Sequence, residues 1–301
     1  MKRLHIFNPK AGGGHSPELL TKGAANGEET YVTSGVGDAE NYIFKICSER
    51  PETHFVVYGG DGTISEAANG IIKAGAGKRN LLSVVPAGTG NDFVRSFPEK
   101  DAIYEIDAIR YRAYSDNEFK NFLYEKYAVN ILNFGFDSRV VRKTSSYKKI
   151  FAGSVAYIAG VADTFFKKLS ENWKIELVDE NGVKETLNKE FTLALAANCR
   201  YYGGGFCAAP LANTSDGLID FISIGKISRG AFVKLISDYK KGVHLNPATK
   251  SPYSKFEKYM TYKRCTSIRI SGISDLCADG EIDAAGSVEI SIAPKVLRIA
   301  T

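Results

Sequence analysis

The chain has 301 residues, of which 44% are hydrophobic and 24% charged, and its formal net charge is +5. This length suits two domains, and the sequence pattern leads us to expect a globular protein without a signal peptide or transmembrane span. The charge is compatible with an anionic substrate or a membrane surface, but no dense basic stripe indicates a nucleic-acid partner. The five cysteines form no C-x-x-C pair, which favours reduced thiols over a zinc site or a disulfide framework.

The first hundred residues alternate between short apolar strands and helices. Strands are predicted at residues 4–8, 30–33, 54–58 and 81–86, and helices at residues 16–26, 38–47 and 63–72. Repeated β-α-β order predicts a parallel sheet that is covered on both faces by helices. We therefore expect a three-layer α/β domain in this half of the chain.

After residue 106 the pattern changes to short strands separated by glycine and Asn/Asp turns. Strands are predicted at residues 127–133, 173–178, 191–197, 218–224, 267–270 and 287–292, and helices at residues 152–168 and 229–241. This pattern predicts a mainly antiparallel β-sandwich domain of residues 107–292. We assign residues 1–106 to the first domain and add the last segment, 293–301, to it, although the pattern alone leaves the position of that strand open.

The most informative segment is a glycine loop between a predicted strand and a predicted helix. It consists of Gly59, Gly60, Asp61, Gly62 and Thr63. Glycines let the backbone approach a ligand closely, and free N–H groups at a helix start suit a phosphate. Thr63 and Glu66 have the spacing of a capping box, which would mark the helix start. The acid inside the loop indicates a nearby magnesium ion or its water shell, whereas an ordinary tight turn is the alternative.

Two further loops follow predicted strands. One contains Gly88, Thr89, Gly90, Asn91 and Asp92, and the other begins at Asn8 and continues through Pro9 and Lys10 to three glycines. Because the carboxyl ends of parallel strands lie at one edge of a sheet, we expect all three loops to meet at one crevice. The Walker pattern and the G-x-G-x-x-G spacing are both absent from the sequence, which excludes a P-loop enzyme and an ordinary dinucleotide dehydrogenase.

These segments resemble the diacylglycerol kinase catalytic-domain family, and in particular its small soluble bacterial lipid kinases within the NAD kinase/diacylglycerol kinase-like superfamily. The matching pieces, which occur in the order of the family and cover nearly the whole chain, are Asn8-Pro9, Thr33 with residues 37–39, the loops 59–63 and 88–92, Asn130 with residues 135–137, residues 216–220 and Asp279-Gly280-Glu281. The 59–63 loop alone is shared with NAD kinases and is similar to a phosphofructokinase loop.

The resemblance implies that ATP binds in a cleft between two domains. It implies that the nucleotide is held by Asn8, Thr33, Gly59, Gly60, Asp61, Gly62, Thr63, Gly88, Thr89, Asn91 and Asp92. It places the general base at Asp279, with Glu281 as a second catalytic residue, and a structural Mg²⁺ at Asp216 and Leu218. From the residues alone, Asp279-Gly280 and Asp216-Gly217 are equally typical of plain turns.

The expected activity is therefore an ATP-dependent and Mg²⁺-dependent lipid kinase, with diacylglycerol as the first candidate acceptor and phosphatidic acid as the product. A kinase for a sphingoid base or another glycerolipid, an NAD kinase-like enzyme and an inactive lipid or nucleotide sensor are the alternatives. We expect a cytoplasmic protein that contacts the inner face of the membrane transiently. The basic segment with Arg142, Lys143, Lys148 and Lys149 is the candidate contact, although a core helix with basic ends would have the same pattern. The sequence leaves open whether the chain forms a homodimer.

Overall fold

The structure is a computed structural model that describes residues 1–11, 27–88, 90–147, 154–167 and 169–301. The helix predicted at residues 16–26 lies outside this part of the chain. In the described part, the N-terminal half begins with the strands β1 (Lys2–Phe7), β2 (Glu29–Val32), β3 (Thr53–Gly59) and β4 (Leu81–Pro86) and the helices α1 (Asp38–Glu49) and α2 (Asp61–Lys73). A short 3₁₀ turn, Val94–Ser96, follows β4.

The strands β1 to β4 form the predicted parallel sheet in the order β4-β3-β1-β2. Their apolar side chains alternate between the faces, so that Leu4 and Ile6 of β1 pack with Ile43 of α1 and Ile64 of α2 in one buried cluster. Because these strands are parallel, the carboxyl ends of β1, β2 and β3 lie at a common edge, which becomes one wall of the cleft described below.

The second half is an antiparallel β-domain with helices outside its sheet. Its strands are β5 (Ile103–Tyr114), β6 (Phe122–Ala128), β7 (Ile131–Gly135), β8 (Glu171–Asp179), β9 (Lys184–Ala197), β10 (Ile219–Gly225), β11 (Leu245–Asn246), β12 (Ser251–Pro252), β13 (Met260–Ser271), β14 (Asp275–Ala278), β15 (Glu281–Ala284) and β16 (Ser287–Ala300). The helices described there are α3 (Phe136–Tyr147), α4 (Ser154–Phe166), α5 (Arg229–Lys241) and α6 (Ser254–Glu257). Trp173, Phe134 and Phe221 lie in its central apolar cluster. The predicted fold class is confirmed.

The last strand joins the two halves. β16 runs antiparallel to β5, and its end pairs in parallel with β4, where Ile299 lies opposite Leu82. The chain bends between these two pairings, at a register shift that includes Lys295 with a φ of +49°. The buried carboxylate of Asp107 accepts hydrogen bonds from the amides of Lys295 and Gly217, both at 2.7 Å, and fixes the bend. The last segment therefore does return to the first sheet.

The predicted pattern of the second half was incomplete at several points. The strand predicted at residues 127–133 is divided between β6 and β7, because the amides of Val129 and Asn130 donate to the carboxylate of Asp279 instead of to a neighbouring strand. The helix predicted at residues 152–168 corresponds to α4. A separate helix, α3, precedes it and extends into the basic segment, where no helix was predicted. β5 was missed, since arginines at 110 and 112 interrupt its apolar pattern; Glu125 of β6 pairs with both of them.

A buried acid in the β-domain makes the stability of the fold depend on pH. Asp220 is 1% exposed and accepts a hydrogen bond from the hydroxyl of Tyr262. Burial raises the pKa of Asp220 to about 6. Because the folded chain favours the protonated acid, this group stabilises the fold at low pH, and the stabilisation is lost as the pH rises through about 6.

We therefore expect Asp220→Asn to remove part of the pH dependence of stability. Between pH 5 and pH 7.5 the wild type should lose on the order of 1–2 kcal/mol of unfolding free energy more than the variant, since an amide does not ionise. Urea unfolding of both proteins at the two pH values measures the difference. Parallel pH profiles of the two proteins would show that Asp220 does not titrate in this range.

Candidate active site

A cleft of about 350 Å³ opens where the carboxyl ends of the first three strands meet the β-domain. Its wall is built from the ends of β1 and β2, the start of α2, the loop after β4 and the first residue of β15. The lining residues are Asn8, Pro9, Lys10, Ala11, Thr33, Ser34, Gly35, Val36, Gly60, Gly62, Thr63, Glu66, Gly88 and Glu281. Ligands of open α/β sheets bind at this edge, so the position agrees with the convergence predicted from the sequence.

The start of α2 is left open for an anion. The helix begins at Asp61, two residues before the predicted capping threonine, and its N-cap Gly60 makes no side-chain cap hydrogen bond. The hydroxyl of Thr63 instead accepts a hydrogen bond from Nδ2 of Asn8 at 2.8 Å. The predicted capping box is therefore wrong, and the first-turn amides of α2 are available for a phosphate.

Glu66, the other member of that predicted box, holds a neighbouring loop. Its carboxylate accepts hydrogen bonds from the amides of Gly37 and Ala39, at 2.8 and 3.3 Å, where α1 begins. Burial raises the pKa of Glu66 above its ordinary value. Thr33, at the base of the same loop, donates its amide to the carbonyl of Phe7 at 2.8 Å. No local signal predicts this contact of Glu66, since its partners lie 27 and 29 residues away.

The two glycine loops pack backbone against backbone. A Cβ atom on Gly88 would lie 2.6 Å from Cα of Gly60, and one on Gly60 would lie 3.2 Å from Cα of Gly88. The side chain of Asn91, whose φ is +53°, accepts a hydrogen bond from the amide of Gly88 at 3.0 Å. Gly59 is equally confined, because its Cβ would meet Thr63 at 2.5 Å. Thr89 lies outside the described residues.

The acidic residues of the two glycine loops, Asp61 and Asp92, do not line the cleft but accept hydrogen bonds from neighbouring segments. Oδ1 of Asp61 accepts a hydrogen bond from the amide of Phe93 at 3.2 Å. Asp92 is 4% exposed and accepts hydrogen bonds, both at 2.7 Å, from the amides of Gly204 and Gly205 in the β-domain. Burial raises the pKa of Asp92. The glycine run at 203–205 is therefore a contact between the two halves of the chain.

Asp279 and Gly280 form a two-residue hairpin turn between β14 and β15. Ala278 pairs with Glu281, and the φ angles of Asp279 and Gly280 are +48° and +95°, as a type I′ turn requires. Asp279 is 7% exposed, and burial raises the pKa of its carboxyl against the opposing effect of three backbone hydrogen bonds. Glu281 is exposed in the cleft, where its Oε1 would lie 3.2 Å from a Cβ on Gly62. The structure thus brings Glu281 to the glycine loop at the start of α2.

Asp216 and Leu218, which were predicted to hold a structural Mg²⁺, lie in a turn where the Asp216 carboxylate already has protein partners. Carboxylate and carbonyl oxygens are the ligands that Mg²⁺ prefers, and Asp216 and Leu218 carry both types. However, the Asp216 carboxylate accepts hydrogen bonds from the amide of Leu218 and from the guanidinium of Arg264, which also donates to Glu180. In the described part of the chain, no group of three or more His, Cys, Asp or Glu side chains is arranged to hold a metal ion. The guanidinium provides the positive charge at this turn.

We therefore expect the fold to be insensitive to metal removal. The melting temperature of the wild type should change by less than about 1 °C between 5 mM EDTA and 5 mM MgCl₂, because Arg264 already neutralises Asp216. Arg264→Ala should lower the melting temperature by several degrees, since it leaves Asp216 and Glu180 without their partner. Arg112→Ala, at a more exposed ion pair, is the matched control. A marked loss of wild-type stability in EDTA would contradict this interpretation.

Open amides at a helix start, two glycine loops in close contact and a facing carboxylate are features that suit the binding of a phosphate. Two family descriptions match the chain: "Diacylglycerol kinase catalytic domain" matches residues 2–116, and "YegS C-terminal NAD kinase beta sandwich-like domain" matches residues 130–301. The chain belongs to the diacylglycerol kinase family of lipid kinases.

Curated relatives of the chain carry names from the same family. A protein of Enterobacter sp. (strain 638), named "Probable lipid kinase YegS-like", is 30% identical over 72% of this chain and 72% of its own length. The diacylglycerol kinase of Mycobacterium tuberculosis (strain ATCC 25618 / H37Rv) is 29% identical over 81% of this chain and 75% of its own. That of Bacillus subtilis (strain 168) is 25% identical over 93% and 90%.

Solved structures support the fold. A diacylglycerol kinase from Bacillus anthracis str. Sterne matches with a TM-score of 0.67 at 20% identity, over 99% of this chain and 96% of that chain. A yeast NADH kinase complexed with NADH matches with a TM-score of 0.50 at 12% identity, over 100% of this chain and 84% of that chain. Among the described helices, none has both the length and the apolar character that crossing a membrane requires.

Proposed function

We propose that the protein transfers the γ-phosphate of ATP to a lipid hydroxyl, and that diacylglycerol is the acceptor and phosphatidic acid the product. The observation that carries the proposal is the cleft itself, in which the open start of α2 and the Gly60–Gly88 contact face the carboxylate of Glu281. The names of the curated relatives support the choice of diacylglycerol.

The residues of the cleft have separate tasks in this proposal. The first-turn amides of α2 and the glycine backbones hold the phosphates, because no side chain separates them from the ligand. Asn8 and Thr33 lie at the ends of β1 and β2, in the part of the cleft left for the nucleoside. Mg²⁺ enters as the companion ion of ATP and neutralises the triphosphate. A carboxylate that faces the phosphates can take the proton of the acceptor hydroxyl, which contributes about 10²- to 10⁴-fold to the rate.

Another lipid alcohol, such as a sphingoid base or another glycerolipid, is the second candidate acceptor, and NAD is the third. An assay with γ-labelled ATP and a panel of these acceptors, followed by solvent extraction, distinguishes them. We expect the label in the organic phase as phosphatidic acid. Labelled NADP in the aqueous phase would instead show that the protein is an NAD kinase. If the label were transferred to none of the acceptors, the proposed kinase activity would be wrong.

We also propose that the protein reaches its lipid by reversible contact with the membrane. In the basic segment, Arg142 pairs with Asp275 at 2.6 Å and Lys143 with Asp163 at 3.1 Å, so their charges are partly neutralised. Lys148 and Lys149 lie outside the described residues. Phe166, at the end of α4, is 76% exposed and supplies an apolar group for the contact.

The lysine pair should dominate the electrostatic part of this contact. We expect Lys148→Glu with Lys149→Glu to weaken binding to anionic vesicles by about 10- to 100-fold, since each cation near an anionic surface contributes about 1 kcal/mol. Sedimentation with vesicles at low and high salt measures this effect. Lys184→Glu is the control, because it makes the same change of charge at one lysine of the β-domain. Binding that ignores both the substitutions and the salt would exclude this segment as the contact.

A further inference from the structure

The outer face of the β-domain sheet has a shallow cavity of its own, about 230 Å³ in volume. Side chains alternate along β5, β16 and β13, so that Tyr111, Ile290 and Ile268 enter the central apolar cluster while their sequence neighbours face outward. The outward side chains that line the cavity are Arg110, Arg112, Ser267, Arg269, Glu289 and Ser291. None of these six described residues lines the cleft at the first sheet.

Strand register places the six side chains in two adjacent rows across β5, β16 and β13. Residues directly opposite each other on antiparallel strands have Cβ atoms about 4.5–5.5 Å apart, so the members of a row are neighbours. The rows are Arg110–Ser291–Ser267 and Arg112–Glu289–Arg269. Three guanidinium groups, two hydroxyls and one carboxylate therefore share one small concave surface.

Ion pairs neutralise the first two arginines only in part. Arg110 and Arg112 share a single carboxylate, that of Glu125, which accepts hydrogen bonds from Nη2 of Arg110 at 2.8 Å and from Nε of Arg112 at 2.6 Å. Within the described part of the chain, the buried Nε of Arg110 has no acceptor, and neither do the two terminal nitrogens of Arg112. These N–H groups remain available to a ligand.

Arg269 is held mainly by the flat face of its guanidinium group. The central carbon of this group lies 4.0 Å from the ring centroid of Phe119, in the loop between β5 and β6. Its ion pairs with Glu176 and Glu289 have N–O distances of 3.7 and 3.2 Å, and Glu289 also accepts a hydrogen bond from the hydroxyl of Tyr114 at 2.7 Å. Stacking on an aromatic ring fixes a guanidinium group and leaves its edge free to donate.

The charge and size of the cavity suit a phosphate monoester. Three guanidinium groups and one carboxylate line it, a surplus of two positive charges, while Glu125 and Glu176 lie outside the lining. A phosphate monoester carries a charge of about −1.5 to −2 at pH 7 and has three strong acceptor oxygens, one more than a carboxylate. The cavity is smaller than the about 300–1,000 Å³ of most ligand pockets, so that it suits a small phosphorylated group and not a whole nucleotide.

We propose that this cavity, with Arg112 and Arg269 at its centre, is a binding site for a phosphate monoester. The phosphate oxygens accept hydrogen bonds from the free edges of the two guanidinium groups and from the hydroxyls of Ser267 and Ser291. The ligand is a soluble phosphate ester or the headgroup of a phospholipid, which present the same chemical group. Because the site is separate from the cleft, it does not depend on the proposed kinase activity.

Calorimetric titration with glycerol 3-phosphate tests the soluble source. We expect Arg112→Gln and Arg269→Gln each to weaken binding by about 10- to 100-fold, which corresponds to the loss of one hydrogen bond to a charged group. Arg112→Lys should also weaken binding, because an ammonium group lacks the planar fork. Lys263→Gln is the matched control, since it removes one charge from an exposed ion pair with Glu185, on the same strand as Arg269 but outside the cavity.

Vesicle sedimentation tests the lipid source. The wild type should prefer phosphatidylcholine vesicles that contain phosphatidic acid, whose phosphate is a monoester, over vesicles of the same surface potential that contain phosphatidylglycerol, whose phosphate is a diester. The double change Arg112→Gln with Arg269→Gln should remove this preference, and Lys263→Gln should retain it. Membrane contact elsewhere on the chain does not affect the result, because the preference is compared and not the total binding.

The two probes distinguish the sources of the ligand. Losses of glycerol 3-phosphate binding in the arginine variants would identify soluble phosphate esters as ligands, and a change with vesicles alone would identify the lipid headgroup. The proposal is overturned if neither probe responds to the arginine variants, or if Lys263→Gln has an equal effect, since only the net charge would then matter. It is also overturned if glycerol 3-phosphate binding is lost in Lys10→Gln, a change in the cleft, and not in Arg112→Gln.

Discussion

Replacing Gly88 with alanine should weaken MgATP binding by about 10- to 100-fold while the chain stays folded. The new methyl carbon would lie 2.6 Å from Cα of Gly60, a distance that forces the two glycine loops apart. Because the backbone sets the position of this Cβ atom and Cα of Gly60 is itself a backbone atom, no side-chain rotation relieves the contact. The loops would lose the close approach to the phosphates that glycine allows, and a loss of about 1.4–2.8 kcal/mol corresponds to this range of affinity.

Calorimetric titration with a non-hydrolysable ATP analogue measures the affinity of the Gly88→Ala variant. Gly230→Ala is the matched control, because a Cβ at this position of α5 meets no atom within 4 Å. We expect the control to bind like the wild type. Equal affinity in folded Gly88→Ala would mean that the contact of the two loops has no part in holding the nucleotide.

Removal of the Asp92 carboxylate should have the largest effect on the stability of the fold among the site residues. In Asp92→Ala the amides of Gly204 and Gly205 lose a charged acceptor, and a hydrogen bond to a charged group typically contributes about 1.5–3 kcal/mol. The desolvation that raises the pKa of Asp92 offsets part of this contribution. We therefore expect the unfolding free energy to fall by about 2–4 kcal/mol.

Urea unfolding of Asp92→Ala measures this loss, and Asp92→Asn should lose less, since its amide oxygen retains one acceptor. Glu99→Ala is a control at an exposed acid nearby in the sequence. Hydrogen exchange at residues 203–206 should accelerate in Asp92→Ala alone. An unfolding free energy within 0.5 kcal/mol of the wild type, about the usual range for surface substitutions, would show that the two halves are joined elsewhere.

The sequence predicted those features that depend on neighbouring residues. The alternation of apolar residues and the positions of the glycines predicted the strands β1, β3 and β4 and the loops that follow them. Because the carboxyl ends of parallel strands lie at one edge of a sheet, these loops were also predicted to meet. The helix α5 was predicted with its observed bounds, Arg229–Lys241, and the structure shows that Ser228 caps it and Gly242 ends it. Such local signals do not depend on the rest of the fold.

Contacts between distant residues could not be predicted in this way. Asp92 and Gly204 are 112 residues apart, and Asp279 and Val129 are 150 residues apart. Asp92 and Asp279 both lie in motifs that indicate ligand binding. Such a motif does not show whether backbone amides already donate hydrogen bonds to the carboxylate. The same holds for Asp216, whose partner Arg264 is contributed by β13.

The most direct test of the proposed function follows the γ-phosphate itself. The wild type is incubated with γ-labelled MgATP and vesicles that contain diacylglycerol, and both ADP and labelled lipid are counted. We predict one labelled phosphatidic acid for each ADP, with the label in the organic phase. Formation of ADP without labelled lipid, or transfer of the label to a water-soluble acceptor in the same vessel, would contradict a lipid kinase that acts on diacylglycerol.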